Sequence, residues 1–394
     1  MWCDDVPREH WRRPHDTLRE RSGQDQHLVS TGDPGGTEPV LGTTAGTVVR
    51  MSSGEQHDHM SAPTQAGSTP ATGSGAGATL GLGAAVGIVG AVLGLLPWIV
   101  TGMHLPLQNL WETSVADERD MPIAFLPFNQ YFLTFLAALL LTGAGIVGVT
   151  ARRLHGRLGR PGVFAAFGGL LLVQVVAVVQ TTVVTTAGLG MDRTVGTGGA
   201  ISASEIYVVA LVVGSALTVL LGAGLVLLLA LAPDGVAVVA LAVVAVALAE
   251  WLRGFVLPPA TLSTGLQSTI AGWAWWVAPV VVGLGIAVTG VRSAGRVVGV
   301  LVALVVLLVG PALLTAVDGA AGMRVLAPYP LELVAFGSGL FGDVLGRGLV
   351  AVVLAAVIGW VGIALLRRRP TGRRSTGLRA SDPPSSGTPS SGTR

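Results

Sequence analysis

The sequence predicts an all-α integral membrane protein, an eight-helix transmembrane bundle with disordered cytoplasmic N- and C-terminal tails. Three observations predict it. Hydrophobic residues make up 51% of the 394-residue chain and charged residues 12%, against about a quarter charged in soluble domains. From Thr79 onward eight continuous apolar stretches follow one another, each long enough to cross about 30 Å of hydrocarbon at 1.5 Å per residue. Arginine, which supplies all 24 residues of the Lys+Arg total, clusters in alternate loops. Mean hydropathy is +0.68.

Residues 1–78 are polar, rich in Gly, Ser, Thr and Pro, and carry ten of the 22 acidic residues without helical or strand periodicity. This arm is expected to be disordered. It lacks the basic, apolar and small-residue order of a secretory signal, which leaves the first span as the insertion signal. Composition changes at Met51, and a chain starting there, without residues 1–50, is a second reading of the arm. The membrane domain, 79–366, has spans at 79–101, 129–150, 162–185, 206–231, 235–257, 270–291, 296–317 and 347–366. The runs are continuously apolar, whereas barrel strands would be about ten residues of strict alternation, so helices are selected.

Orientation follows from arginine, because short basic loops stay in the cytoplasm. The loops after spans 2 and 6 and the tail after span 8 hold twelve arginines, among them Arg152, Arg153, Arg157, Arg160, Arg292 and Arg296. The opposite loops and span ends hold five: Arg119, Arg193, Arg253, Arg324 and Arg347. Both termini are therefore expected in the cytoplasm of a multi-pass protein of the plasma membrane. Lysine-free, glycine-rich composition points to a high-GC bacterium as host. Trp98, Trp111, Trp251, Trp273, Trp275 and Trp276 are placed at the outer interface; Trp360 is the exception. The tail, 367–394, opens on Arg367, Arg368, Arg369, Arg373 and Arg374, a lipid-headgroup anchor with about 1 kcal/mol per charge beside anionic lipid. Ser375 and Thr376 follow directly, where a phosphate would weaken that attraction.

Composition also excludes chemistry. Without lysine no Walker A loop or Schiff base can form. With Cys3 the only cysteine, there is no intramolecular disulfide, CxxC pair or Cys-rich zinc site. No histidine falls inside an apolar run, so two helices cannot clamp a haem. His57, Asp58 and His59, near Glu55, lie in the floppy arm without preorganised geometry, so neither a metal nor another cofactor is expected. No ordered basic surface interleaved with aromatics is present, and nucleic acid is not an expected partner. The expected partners are the lipid bilayer and other membrane proteins.

Three groups of residues remain as candidate sites. Glu250 lies about fifteen residues into the fifth span with Arg253 on the same helix face; an unpaired charge near a helix centre costs about 2.5–3.5 kcal/mol, so it is paired, near the interface, or facing a wet cavity. Gln174, Gln180, Thr181 and Thr185 on the third span bracket it in depth. These side chains are expected either to line an outward-opening cavity, beside bends at Pro279 and Pro311, or to act as an ion pair plus interhelical hydrogen bonds. In the first outer loop Asp117, Glu118 and Asp120 follow Glu112. Acidic groups just outside a first membrane helix could bind a divalent metal or act as a general base. The arrangement resembles that of membrane glycosyltransferases that use lipid-linked donors, which implies an outward-facing transferase. On the first span Gly83, Gly87, Gly90 and Gly94 recur on one face, a close-packing surface used within the bundle or between chains. The last outer loop is apolar from Leu331 to Leu345, and is expected to lie along the interface or to re-enter.

No motif names a reaction. The leading expectation is a non-enzymatic, transporter- or permease-like protein binding or moving a small or amphiphilic molecule through a cavity bordered by spans 3 and 5. A structural or accessory subunit and the outward-facing transferase are the alternatives.

Overall fold

The computed structural model describes residues 74–106, 120–191, 202–256, 264–326 and 328–368. The arm with Met51 and His57–His59, the acidic residues Asp117 and Glu118, Trp111, Arg119, Arg193, Arg369, Arg373, Arg374, Ser375 and Thr376 lie outside the described residues. Eight helices or helix pairs among the described residues are long and apolar enough to cross a membrane, which makes the chain a polytopic helical membrane protein in a lipid bilayer.

In chain order the helices are α1 (Ser74–Gly94), α2 (Leu96–Val100), α3 (Leu133–Arg153), α4 (His155–Gly188), α5 (Ala203–Leu231), α6 (Asp234–Val256), α7 (Gly265–Ala274), α8 (Val277–Thr289), α9 (Ala294–Gly322) and α10 (Pro330–Arg368). Local chemistry sets several ends. Ser202 with Glu205 and Thr264 with Gln267 form capping boxes that start α5 and α7, each satisfying two orphan backbone donors. Gly159, at φ 55°, kinks the start of α4 just before Pro161, a backbone conformation that favours glycine. Pro97 opens α2 after the break at Leu95.

α3 and α6 are the inner helices. α3 packs against α1, α4, α5 and α6, and α6 against α3, α8 and α9. One core is built on α3 from Leu136, Leu139 and Leu140 with Ala177, Leu211 and Val219, and another on α6 from Val238, Ala242, Ala245 and Val246 with Val282, Ala303 and Leu307. α8 and α10 touch through glycines. A Cβ on Gly283 would lie 2.7 Å from the Ile358 Cβ, and one on Gly359 2.6 Å from the Ile286 Cγ2.

At one end a carboxylate joins the two inner helices to a third. Asp234, in the first turn of α6, accepts from Arg152 of α3 at 2.5 Å and from Arg296 of α9 at 2.7 Å. Arg152 also donates to the carbonyls of Leu229 and Ala232 at the end of α5, where terminal carbonyls lack helical partners. At the opposite end Asp318 of α9 accepts from the Thr134 backbone N–H at 3.2 Å, capping the start of α3.

Two loops differ from the sequence expectation. The apolar segment Leu331–Leu345 is neither a separate interfacial element nor a re-entrant loop: it is helical and continuous with α10. Its glycines are tolerated because glycine is common in membrane helices, and Gly319 of α9 accommodates Leu340 of this segment. The 39-residue α10 is about 58 Å long, nearly twice the hydrocarbon thickness. The flanks of the loop between the first and second spans also fold inward. His104 pairs with Ile123 as an isolated antiparallel bridge, and Leu105, Ala124, Leu126 and Phe128 are fully buried.

Candidate functional site

That inward-folded segment accounts for two of the expected cavity residues. Gln180 accepts from the Phe125 N–H at 2.9 Å and donates to the Ile123 carbonyl at 3.0 Å, while Thr181 accepts from the Leu126 N–H at 2.9 Å. A non-helical chain inside a membrane bundle must have its polar groups met by protein, and α4 meets them here. Trp98 contributes from α2, donating to the Ala124 carbonyl at 2.8 Å, and Tyr207 of α5 donates to Phe128 at 3.3 Å. Trp98 is thus an internal residue rather than the lipid anchor expected from its position.

Gln174 is buried, 2% exposed, and donates to the Leu140 carbonyl of α3 at 2.8 Å. Its Oε1 and the buried Thr185 hydroxyl have no hydrogen-bond partner among the described residues. Neither comes near Glu250, because α4 packs on α1, α3 and α5 whereas Glu250 belongs to α6 on the far side of α3. The cavity expected between spans 3 and 5 is therefore not the one the fold builds.

Glu250 instead lines a cavity of about 580 Å³ enclosed mainly by α6, α8, α9 and α10. This volume lies in the range of small-molecule pockets. Its wall includes Val246 and Ala249 of α6, Trp275 and Trp276 at the α7–α8 break, Leu307 and Leu314 of α9, and Val344 and Ala351 of α10. Both prolines singled out from the sequence are here: Pro279 and Pro311 line it. A helical proline has no N–H for the carbonyl four residues earlier, which frees the carbonyls of Trp275 and Leu307, two residues of the same wall. The sixth span is accordingly two helices, α7 and α8, interrupted at Trp275 and Trp276.

Polar groups are few. Glu250 takes both of its oxygens to the Arg253 Nη1 at 2.9 Å, so its charge is compensated within its own helix. Thr134 and Thr315 face the same space. Arg347 of α10 lines it too, donates from Nε only to the Asp343 backbone carbonyl at 3.4 Å, and has no carboxylate partner among the described residues. Hydropathy alone places Arg347 at a span end, whereas α10 begins at Pro330.

Depth can be measured along the helices. Glu250 lies sixteen residues above Asp234 on α6, about 24 Å at 1.5 Å per residue. Gly348 packs on Leu308, twelve residues above Arg296 on α9, or about 18 Å. Glu250 thus stands six residues, about 9 Å, from the end of α6 away from Asp234.

The glycine face of α1 is used inside the bundle. A Cβ on Gly83 or Gly87 would overlap the carbonyls of Gly162 or Ala166 on α4, and one on Gly94 would lie 2.6 Å from the Leu139 carbonyl on α3. Of the acidic residues expected in the loop between the first and second spans, Asp117, Glu118 and Asp120, only Asp120 is described, and it is exposed. No cluster of three or more potential metal-ligating side chains occurs among the described residues. Of the tail arginines, Arg367 and Arg368 form the last turn of α10 and are exposed. Comparison with known proteins finds no match to a family model, to a curated protein or to a solved structure.

Proposed function

We propose that the protein is a transporter- or permease-like membrane protein that binds, and passes across the bilayer, a small amphiphilic molecule held in the cavity between α6 and α8–α10. The observation that carries this reading is the 580 Å³ apolar cavity with Glu250 and Arg347 in its wall, beside the α7–α8 break at Trp275 and Trp276 and the proline-bearing helix α9. A broken helix beside a cavity within a membrane bundle supplies unpaired backbone groups and a point of bending, as transport proteins require. The arginine distribution supports both termini in the cytoplasm, and the lysine-free, glycine-rich composition supports a bacterial plasma membrane. The accessory-subunit reading is weakened because the glycines it would use between chains are filled by the chain's own α3 and α4.

The test uses single cysteines at Thr315, Ala351 and Gln174 in a Cys3→Ser background. A maleimide is expected to label Thr315→Cys and Ala351→Cys, to be slowed by lysophosphatidylcholine as a probe amphiphile, and to leave the buried Gln174→Cys unreacted. Absence of labelling at both cavity positions overturns the reading.

A further inference from the structure

The cavity opens on the flank of the bundle. α8 and α10 are in contact where Gly283 meets Ala355 and Ile358 and where Gly359 meets Ile286. Above that crossing, toward Trp275 on one side and Arg347 on the other, the cavity occupies the space between them. Its rim is exposed: Trp275 is 41% and Trp276 43% exposed, and Arg347 and Val350 are exposed as well. In a bilayer this flank faces acyl chains, so the crevice is reached sideways from the lipid.

Charge selects what enters. The Glu250 carboxylate is closed off by Arg253, and Thr134 and Thr315 are neutral. Arg347 is left in the wall, on the rim, without an ion-pair partner among the described residues. Asp343, one turn away, engages it only through its backbone carbonyl. A planar guanidinium with free donors is a site for a bidentate phosphate or carboxylate oxygen pair, and the apolar walls suit a chain. Resting on the amphiphile-binding reading above, we infer that the ligand is an anionic, phosphate-bearing lipid, its headgroup on Arg347 and its chain between Trp275, Trp276 and Val350.

The full chain reconstituted in phosphatidylcholine carrying a small fraction of brominated lipid tests this, with quenching assigned to Trp275 and Trp276 by subtraction of a Trp275→Phe/Trp276→Phe variant. Brominated phosphatidylglycerol is expected to be preferred over brominated phosphatidylcholine at this pair by about fivefold, the equivalent of one arginine–lipid charge contact. Arg347→Gln should erase the preference while quenching by the neutral lipid persists, and Arg347→Lys should retain part of it. Equal quenching by the two lipids in the wild type, or a preference that survives Arg347→Gln, overturns the inference and leaves the amphiphile cavity standing. Loss of the preference when inorganic phosphate alone is added shows a free-anion site and overturns it too. No quenching of this pair by either lipid overturns the cavity reading as well.

Discussion

The Trp251 indole donates to the carbonyl oxygen of Gly94 at 2.7 Å. Gly94 ends α1 just before the break at Leu95, so this carbonyl lacks its helical donor, and α6 supplies one from the far half of the bundle. The neighbouring Glu250 turns to the cavity, so one turn of α6 serves both packing and site. Trp251→Phe keeps the ring contact with Phe255 but orphans the carbonyl. It is expected to destabilise the protein by about 1–3 kcal/mol, read as a lowered thermal midpoint in detergent.

At the α1–α4 contact, Gly87→Leu forces a side chain into the Ala166 carbonyl, whereas a Cβ on Gly81 meets nothing within 4 Å. Overpacking of this kind costs about 1–3 kcal/mol or more. Gly81→Leu should stay within about 0.5 kcal/mol of wild type. Equal effects in a thermal-shift comparison would contradict the packing described.

Thr181→Val should cost about 1–3 kcal/mol, because it leaves the buried Leu126 N–H without an acceptor. Gln180→Ala should cost less, since its two bonds lie at an exposed edge. Limited proteolysis between Met121 and Phe128 should accelerate in the same order, and labelling of Thr315→Cys should be unaffected in both variants.

How much of this was legible beforehand depends on the range of the interaction. The spans were legible because each carries its own hydropathy, and Glu250, Pro279 and Pro311 were legible as exceptions inside apolar runs. Their neighbours were not. Gln180 and Thr181 have partners 55 residues away in a loop whose inward fold leaves no periodic trace. The pairing of spans 3 and 5 failed because α3 stands between them. Asp234 went unremarked because its role exists only once Arg152 and Arg296 arrive from other helices. Arg347 falls at a span end by hydropathy alone, because the helix that carries it runs on through Leu331–Leu345, beyond the length one crossing needs.

Removing arginines from the Asp234 cluster should show unequal costs. Each exposed pair is worth about 0.2–1 kcal/mol, but Arg152→Ala also uncaps the carbonyls of Leu229 and Ala232 and should exceed Arg296→Ala. A double-mutant cycle of each with Asp234→Asn in low and high salt should give a coupling that salt reduces for both.

The glycine crossing of α8 and α10 would serve as a fulcrum for any tilt between the two helices. It sits about 12 Å along α8 below Trp275, with the helices tight against each other at that point. A tilt of roughly ten degrees about it displaces the mouth by about 2 Å, within the range of small sliding motions of packed helices. Rotations too slight to disturb the arginine-tied end can therefore widen or shut the gap between tryptophan and arginine, with the small residues at 283 and 359 serving as the bearing.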